Sequence, residues 1–117
     1  YGLEVTAFSP LGSISYEEIG GAEVTESLLR DETIKGMAKD LNISPAQLIL
    51  SWALNRGTSI VVKSTNEKRM KENLDASEIK LDQSTLDKVS SLNTDKRYND
   101  PGIFCEDAFN TFFPIYD

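Results

Sequence analysis

The chain has 117 residues, of which 39% are hydrophobic and 26% charged, a balance typical of a folded globular domain rather than of a disordered or fibrous chain. Its formal net charge of −7 argues against nucleic acid or an anionic membrane as the main partner, because either would be repelled on average. No apolar run approaches the roughly 18 residues that a membrane-spanning helix needs. The opening Tyr1-Gly2-Leu3-Glu4 resembles neither a signal nor a transit peptide, and it lies inside a predicted strand.

The chain has one cysteine, Cys105, and no histidine. A single cysteine cannot form an internal disulfide, so a reducing compartment such as the cytosol is expected. Cys105 is interpreted as a buried or incidental residue, with a reactive thiol as the alternative. Without histidine and without spaced cysteines, no metal site is expected.

The first half of the chain predicts one strand, a loop and two helices. An alternating apolar pattern predicts a strand over residues 2–8, which the turn Ser9-Pro10-Leu11-Gly12 ends. Residues 13–27 are rich in Gly, Ser and Glu and have no period, so they predict a loop long enough to have a function. Asp31 is expected to cap a helix that ends near Asn42, with apolar residues at helical spacing at Ile34, Met37, Ala38 and Leu41.

A second helix is predicted from Ser44-Pro45-Ala46-Gln47, which combines an N-cap serine, a proline in the first turn and a glutamine that can reach back to the cap. Gly57 is placed to end it in a left-handed conformation. The apolar side chains expected to point inward are Leu48, Ile49, Trp52 and Ala53. Trp52 is therefore interpreted as a packing residue rather than a cofactor contact.

The second half begins with the apolar, β-branched run Ser59–Val62, which predicts a strand buried on both faces, as in a parallel sheet. Asn66 is expected to cap a helix that runs through Asn73, and Asp82 to cap another. Residues 93–117 show neither a helical nor an alternating period and predict a C-terminal loop. This loop is dense in aromatic residues: Tyr98, Phe104, Phe109, Phe112, Phe113 and Tyr116.

The predicted order of elements is that of an α/β protein whose helices connect parallel strands. Two strands do not make a closed sheet, and both edges of the pair would lack a neighbour. The pattern therefore predicts the last two βα units of a larger barrel, which typically takes about 250 residues.

Three motifs in this order resemble those of the aldo-keto reductases. They are Ala7-Phe8-Ser9-Pro10-Leu11-Gly12-Ser13, then Ser44 to Trp52 with Arg56-Gly57, and then Val62-Lys63-Ser64 with Arg69, Glu72 and Asn73. Each motif is weak alone, whereas the ordered set is specific. Leu92-Asn93 with Arg97 to Pro101 further resembles the xylose-reductase-like branch.

The resemblance implies a (β/α)8 TIM barrel in which residues 1–117 are the C-terminal part of a single domain, with strands seven and eight, their helices and the C-terminal loop of residues 93–117. The remainder of the barrel is then expected as a partner of this chain. In such barrels the loops after the last two strands commonly bind phosphate. A nicotinamide dinucleotide is therefore expected to lie across residues 9–13 and 63–73.

Lys63 and Arg69 flank a helix start that also offers hydroxyls and backbone N–H groups, at Ser64, Thr65 and Asn66. The resemblance implies that the two cations hold the 2′-phosphate of NADPH and that Arg69 covers a face of the adenine. The alternative is a solvated basic turn beside Lys68 and Lys71.

Further cofactor contacts are implied by the resemblance. Glu72 and Asn73 match residues that bond the adenine edge, against an alternative as ordinary surface residues. Ser9, Leu11 and Ser13 match the part that contacts the pyrophosphate. Glu18 matches an acid that binds the adenosine ribose, which would permit NADH as well as NADPH. The alternative is that Glu18 is simply a solvated surface residue.

Substrate contacts are expected from the aromatic tail. In the family the C-terminal loop lines one wall of the substrate pocket, which would place Phe109, Phe112 and Phe113 there. The alternative is that these rings only attach the tail to the barrel.

The family reduces carbonyl groups with a tyrosine acid supported by lysine, aspartate and histidine from earlier strands. None of Tyr1, Tyr16, Tyr98 or Tyr116 lies in that context, so no catalytic residue is expected in this chain. One hypothesis is that the chain is a piece of a cytoplasmic NADP(H)-dependent enzyme that reduces small aldehydes or ketones, sugars among them. The other is a truncated or non-catalytic, regulatory member of the family that binds nucleotide without turnover.

Overall fold

The computed structural model describes residues 2–12, 17, 22–95 and 101–111. The strands are β1 (Thr6–Phe8) and β2 (Ser59–Val61), and the α-helices are α1 (Glu32–Asp40), α2 (Pro45–Asn55), α3 (Glu67–Asp75), α4 (Gln83–Ser90) and α5 (Pro101–Phe109). Short 3₁₀ turns lie at Val24–Glu26, Leu28–Arg30 and Ala76–Glu78. Within those described ranges, no helix is both long and apolar enough to cross a bilayer.

β1 and β2 form a parallel pair, as the lengths of the connecting helices predict. Thr6 is the partner of Ser59 and Phe8 is the partner of Val61. The amide of Ser59 donates to the Val5 carbonyl at 3.0 Å, and the Thr6 and Ser59 hydroxyls are hydrogen-bonded at 2.6 Å. The carboxyl ends of both strands therefore lie at the same edge of the sheet.

The predictions of strand length and burial need correction. The ladder covers residues 6–8 and 59–61, which is shorter than the predicted strands 2–8 and 59–62. Val61 is 62% exposed and Ser59 is also exposed, so β2 is not buried on both faces. The reason is that β1 and β2 pair only with each other in the described part of the chain, and no third strand covers either edge.

The predicted N-caps are confirmed at four helices. Asp31, Ser44, Asn66 and Asp82 each accept a hydrogen bond from the backbone amide three residues later, at 2.9, 3.1, 3.0 and 2.7 Å. Gln47 also accepts from the Ser44 amide at 3.0 Å, completing the predicted capping box. Helix ends were predicted less closely: α1 ends at Asp40, and α3 continues to Asp75.

The hydrophobic core lies between α1, α2 and α4. Its buried members are Ile34, Met37, Ala38, Leu48, Ile49 and Val89. Trp52 is half-buried and packs against this cluster, which confirms its prediction as a packing residue. Leu41 was predicted to follow the helical spacing of Ile34, Met37 and Ala38, but it is 44% exposed, because it lies beyond the last residue of α1.

Two polar side chains of α2, one buried and one half-buried, attach the segment that follows α3. The Ser51 hydroxyl, fully buried, donates to the Ala76 carbonyl at 2.9 Å. The Asn55 amide group donates to the Ile79 carbonyl at 2.9 Å and accepts from the Leu81 amide at 3.3 Å. These bonds fix the position of α3 relative to α2, and therefore the position of the residues that α3 carries.

The predicted absence of a helix after Asn93 is wrong, because residues 101–109 form α5. Its apolar residues are not confined to one face of the helix, and a one-sided apolar stripe is the main sequence signal for a helix. Pro101 suits a first helical turn, where the missing N–H has no partner to lose.

The predicted loop 13–27 contains the 3₁₀ turn Val24–Glu26, and Arg30 pairs with Glu17 of the same loop at 2.7 Å.

Candidate functional site

The turn after β1 has an unusual backbone. The Gly12 amide donates to the Ser9 carbonyl at 2.9 Å, which closes a four-residue turn. Both ends of the turn have positive φ, +48° at Ser9 and +74° at Gly12. Glycine adopts this conformation freely, whereas a serine pays about 1–2 kcal/mol for it. Strain of this kind is concentrated at functional sites, and here it lies at a residue predicted to contact a cofactor.

Two clefts meet at Lys63. The first, the turn cleft, has a volume of about 320 Å³ and is lined by Phe8, Ser9, Pro10, Leu11, Gly12, Val61, Val62 and Lys63. The second, the helix cleft, has a volume of about 540 Å³ and is lined by Leu54, Ile60, Val62, Lys63, Ser64, Met70, Asn73, Leu74 and Ser77. Lys63 and Val62 are common to both, so the two clefts adjoin at the end of β2.

The loop between β2 and α3 is held by its own polar side chains. The Asn66 amide donates to the Ser64 hydroxyl at 3.1 Å, and the Asn66 side chain accepts from the Arg69 amide at 3.0 Å. These bonds place Lys63 and Ser64 immediately before the helix and Arg69 in its first turn. The positive end of the α3 dipole therefore lies beside the end of β2.

The cations near this loop differ in their partners. Lys68 pairs with Glu72 at 3.8 Å and Lys71 pairs with Asp75 at 3.0 Å, one helical turn along α3 in each case. Lys63 and Arg69 form no ion pair with any carboxylate in the described ranges. Both are exposed. In a chain with a net charge of −7, these two cations are the ones beside the loop that remain available to an external anion.

The structure brings together part of the predicted site. Ser9, Leu11 and Lys63 line the turn cleft, and Lys63, Ser64 and Asn73 line the helix cleft. The remaining predicted residues of this segment lie on the same loop and helix but line neither cleft: Thr65, Asn66, Arg69 and Glu72. The Asn66 side chain is engaged in capping, and Glu72 in its pair with Lys68.

The predicted contacts elsewhere are placed less fully. Phe109 lies at the end of α5 and is 76% exposed. Ser13, Glu18, Phe112 and Phe113 lie outside the described residues. Their roles stay predictions.

Sequence reasoning missed the apolar wall of the helix cleft. Ile60 and Val62 supply it from the strand side, and Met70 and Leu74 from α3, with Leu54 from α2. The signal was present in the one-turn spacing of Met70 and Leu74 and in the alternation of Ile60 and Val62. Met70 and Leu74 are 48% and 73% exposed, so this wall presents apolar surface beside a cation.

Comparisons with known proteins agree with this architecture. Residues 1–94 match the model of the aldo/keto reductase family. The chain belongs to the aldo/keto reductase family, as its motifs predicted. This is a family of (β/α)8-barrel oxidoreductases.

Individual relatives are similar over most of this chain. It is 40% identical over 101 residues to 4-dihydromethyl-trisporate dehydrogenase of Mucor mucedo, and 38% identical over 102 residues to "Probable NAD(P)H-dependent D-xylose reductase xyl1" of Aspergillus flavus; each match covers 86% of this chain and 32% of the relative. A crystal structure of an aldo/keto reductase from Brucella melitensis superimposes with a TM-score of 0.64 at 30% identity, over 80% of this chain and 30% of that one. The chain therefore spans about a third of the length of these relatives.

Proposed function

We propose that this chain is the cofactor-binding part of an NADP(H)-dependent reductase of aldehydes or ketones, sugars among them. In this proposal β1 and β2 are the seventh and eighth strands of the barrel. The single observation that carries it is the parallel pairing of Phe8 with Val61, which brings the Ser9–Gly12 turn and Lys63 to one cleft. The printed name of the Aspergillus flavus relative, an NAD(P)H-dependent D-xylose reductase, supports a nicotinamide cofactor and a sugar substrate.

The residues of the site fit a dinucleotide phosphate. Lys63 and Arg69 are cations without carboxylate partners in the described ranges, at the amino-terminal end of a nine-residue helix. We assign to them the 2′-phosphate, since ionised donors form the strongest hydrogen bonds to phosphate oxygens. The Ser9–Gly12 turn would contact the pyrophosphate.

The adenine is assigned to the helix cleft. Its wall of Ile60, Val62 and Met70 suits the face of a planar ring, and Asn73 offers an amide to the ring edge. NADPH supplies the hydride of the reaction when bound. The chain's residues bind and orient it, and we place this reaction in the cytosol because Cys105 has no disulfide partner within the sequence.

The experiment is a titration of the chain with NADPH and, separately, with NADH. Lys63→Ala and Arg69→Ala are each expected to weaken NADPH binding by about tenfold or more, because a charge-assisted bond to the 2′-phosphate is lost. NADH lacks that phosphate, so its binding should change much less. Lys68→Ala is the matched control, because it removes the same charge from a neighbouring position that is already paired with Glu72.

Equal weakening of NADPH and NADH by Lys63→Ala would reject the assignment to the 2′-phosphate. An effect of Lys68→Ala as large as that of Lys63→Ala would show that only the general positive charge of the segment matters. Circular dichroism of each variant serves as the check that the fold is unchanged.

A further inference from the structure

We propose that a third cleft, between α2 and α4, is a binding site for a small amphipathic carboxylate. This tryptophan cleft has a volume of about 390 Å³ and is lined by Pro10, Leu28, Ile49, Trp52, Arg56, Val89, Ser90, Leu92 and Asn93. Clefts of this size are within the range that holds small organic molecules. It shares only Pro10 with the turn cleft and no residue with the helix cleft.

One wall of the tryptophan cleft is a fixed aromatic ring. The Trp52 indole N–H donates to the Leu86 carbonyl at 3.2 Å and to the Ser90 hydroxyl at 3.1 Å. Ser90 is itself held, because its hydroxyl donates to the same carbonyl at 2.7 Å. A ring held in this way costs little entropy when a ligand packs against it.

The rest of the lining is mainly apolar. Leu28, Ile49, Val89 and Leu92 face the cleft together with Trp52. Val89 and Ile49 are buried members of the core, whereas Leu28 and Leu92 are half-buried at its margin. Such a lining selects a ligand with a compact apolar body.

Arg56 gives the cleft its charge. Its guanidinium lies 4.4 Å from the centroid of the Trp52 ring. Among the described residues Arg56 is the only charged one that lines this cleft, and it pairs with no described carboxylate. A guanidinium stays ionised and presents a planar fork of donors that matches a carboxylate, so an apolar body with one carboxylate satisfies both the lining and the charge.

The experiment uses the fluorescence of Trp52, the only tryptophan in the chain. Hydrocinnamate and its neutral amide, hydrocinnamamide, are each titrated into the 117-residue chain. The acid is expected to change the fluorescence saturably, and the amide to bind about tenfold more weakly, because it lacks the charge that pairs with Arg56.

Two variants locate the effect. Arg56→Gln is expected to weaken the acid about tenfold and to leave the amide nearly unchanged. Lys68→Ala removes one positive charge at a residue that lines none of the three clefts, and this variant should bind the acid as the unaltered chain does. Calorimetry measures the same affinities without relying on the indole, whose emission Arg56 itself can alter.

Three results would each overturn the proposal: no saturable binding of the acid, equal affinity for acid and amide, or unchanged acid binding by Arg56→Gln. The comparison of acid with amide is made on the unaltered chain, so it decides the matter even where a variant fails to fold. The nucleotide assignment is tested separately, with NADPH and NADH on Lys63→Ala and Arg69→Ala, and neither of these residues lines the tryptophan cleft. Failure here is therefore distinguishable from failure of the nucleotide assignment.

Discussion

Phe8 and Val61 are partners at the ends of two parallel strands. The turn that follows Phe8 and the basic loop that follows Val61 are distant in sequence, and this pairing makes them neighbours. Lys63 consequently borders a cleft with Ser9 and Leu11 on one side and a cleft with Asn73 on the other. The candidate nucleotide site depends on this arrangement of the strand ends more than on any single side chain.

Gly12→Ala is expected to destabilise the chain by about 1–2 kcal/mol. Gly12 has φ +74°, and an added Cβ would meet no atom within 4 Å, so the cost comes from backbone strain rather than from a clash. The free energy of unfolding, from denaturant titration followed by circular dichroism, measures the change.

Gly36→Ala is the matched control for that substitution. Gly36 lies inside α1, also with no atom near an added Cβ, and its φ is not positive. Alanine there should stabilise the chain by about 0.5–1 kcal/mol, because glycine is a poor helix former. Effects of the same sign for Gly12→Ala and Gly36→Ala would contradict the turn geometry.

Ser51→Ala is expected to destabilise the fold by about 0.5–1.5 kcal/mol, because the Ala76 carbonyl loses its buried hydroxyl donor and keeps only the longer bond from the Ile79 amide, at 3.4 Å. The hydroxyl of Ser51 is fully buried and bonds that carbonyl at 2.9 Å. Ser77→Ala is the control, since the exposed Ser77 hydroxyl bonds the Leu74 carbonyl at 2.9 Å where water can replace it. Urea unfolding of both variants should show a larger loss of unfolding free energy for Ser51→Ala than for Ser77→Ala. Equal losses would show that burial does not increase the contribution of this hydrogen bond.

Helix starts were predictable because the capping interactions are local. The side chains of Asp31, Ser44, Asn66 and Asp82 each accept from an amide only three residues away. A stretch of four residues is therefore enough to predict where each helix begins. Strand length was not predictable in this way, because a strand extends only as far as its hydrogen-bonded partner strand, and that partner is distant in sequence. α5 was missed because its apolar residues are not confined to one face, so its sequence lacks the usual one-sided apolar stripe.

The candidate site was predictable to a similar extent. The positions of Lys63 and Arg69 after a strand follow from sequence, as does the Ser9–Gly12 turn. Sequence alone did not distinguish these two cations from Lys68 and Lys71. The structure does, because Lys68 and Lys71 form ion pairs with Glu72 and Asp75. The apolar wall of the helix cleft was also missed, because its residues come from three different elements.

The Asp82 cap gives the stability of the chain a pH dependence. The Asp82 carboxylate accepts hydrogen bonds from the side chain of Thr85 and from its backbone amide, and these bonds, in that order, hold the pKa of Asp82 below its ordinary value. Because the pKa is lower in the folded state, the ionised carboxylate stabilises the fold fully above the ordinary value. That contribution is lost as the pH falls through the lowered one.

Asp82→Asn therefore should be less stable than the unaltered chain at neutral pH and should approach it in acid. Unfolding free energies measured at a series of pH values test this. Ser44→Ala is the control: it removes a cap that does not titrate, so its loss of about 0.5–2 kcal/mol should be the same across the series. A constant difference for Asp82→Asn would mean that the charge of Asp82 does not contribute.

The 117-residue chain is expected to bind NADPH and yet not to oxidise it when an aldehyde is added. Carbonyl reduction needs a proton donor at the oxygen. The resemblance to the family implies a tyrosine donor supported by lysine, aspartate and histidine, and this chain has no histidine. The loss of NADPH absorbance is followed with D-xylose or glyceraldehyde, and the same mixture without aldehyde is the control. A longer protein in which a segment with those four residues precedes this chain should turn over. If the longer protein binds NADPH without turnover, the non-catalytic alternative is correct. Aldehyde-dependent oxidation of NADPH by the 117-residue chain itself would show that this chain does contain a proton donor.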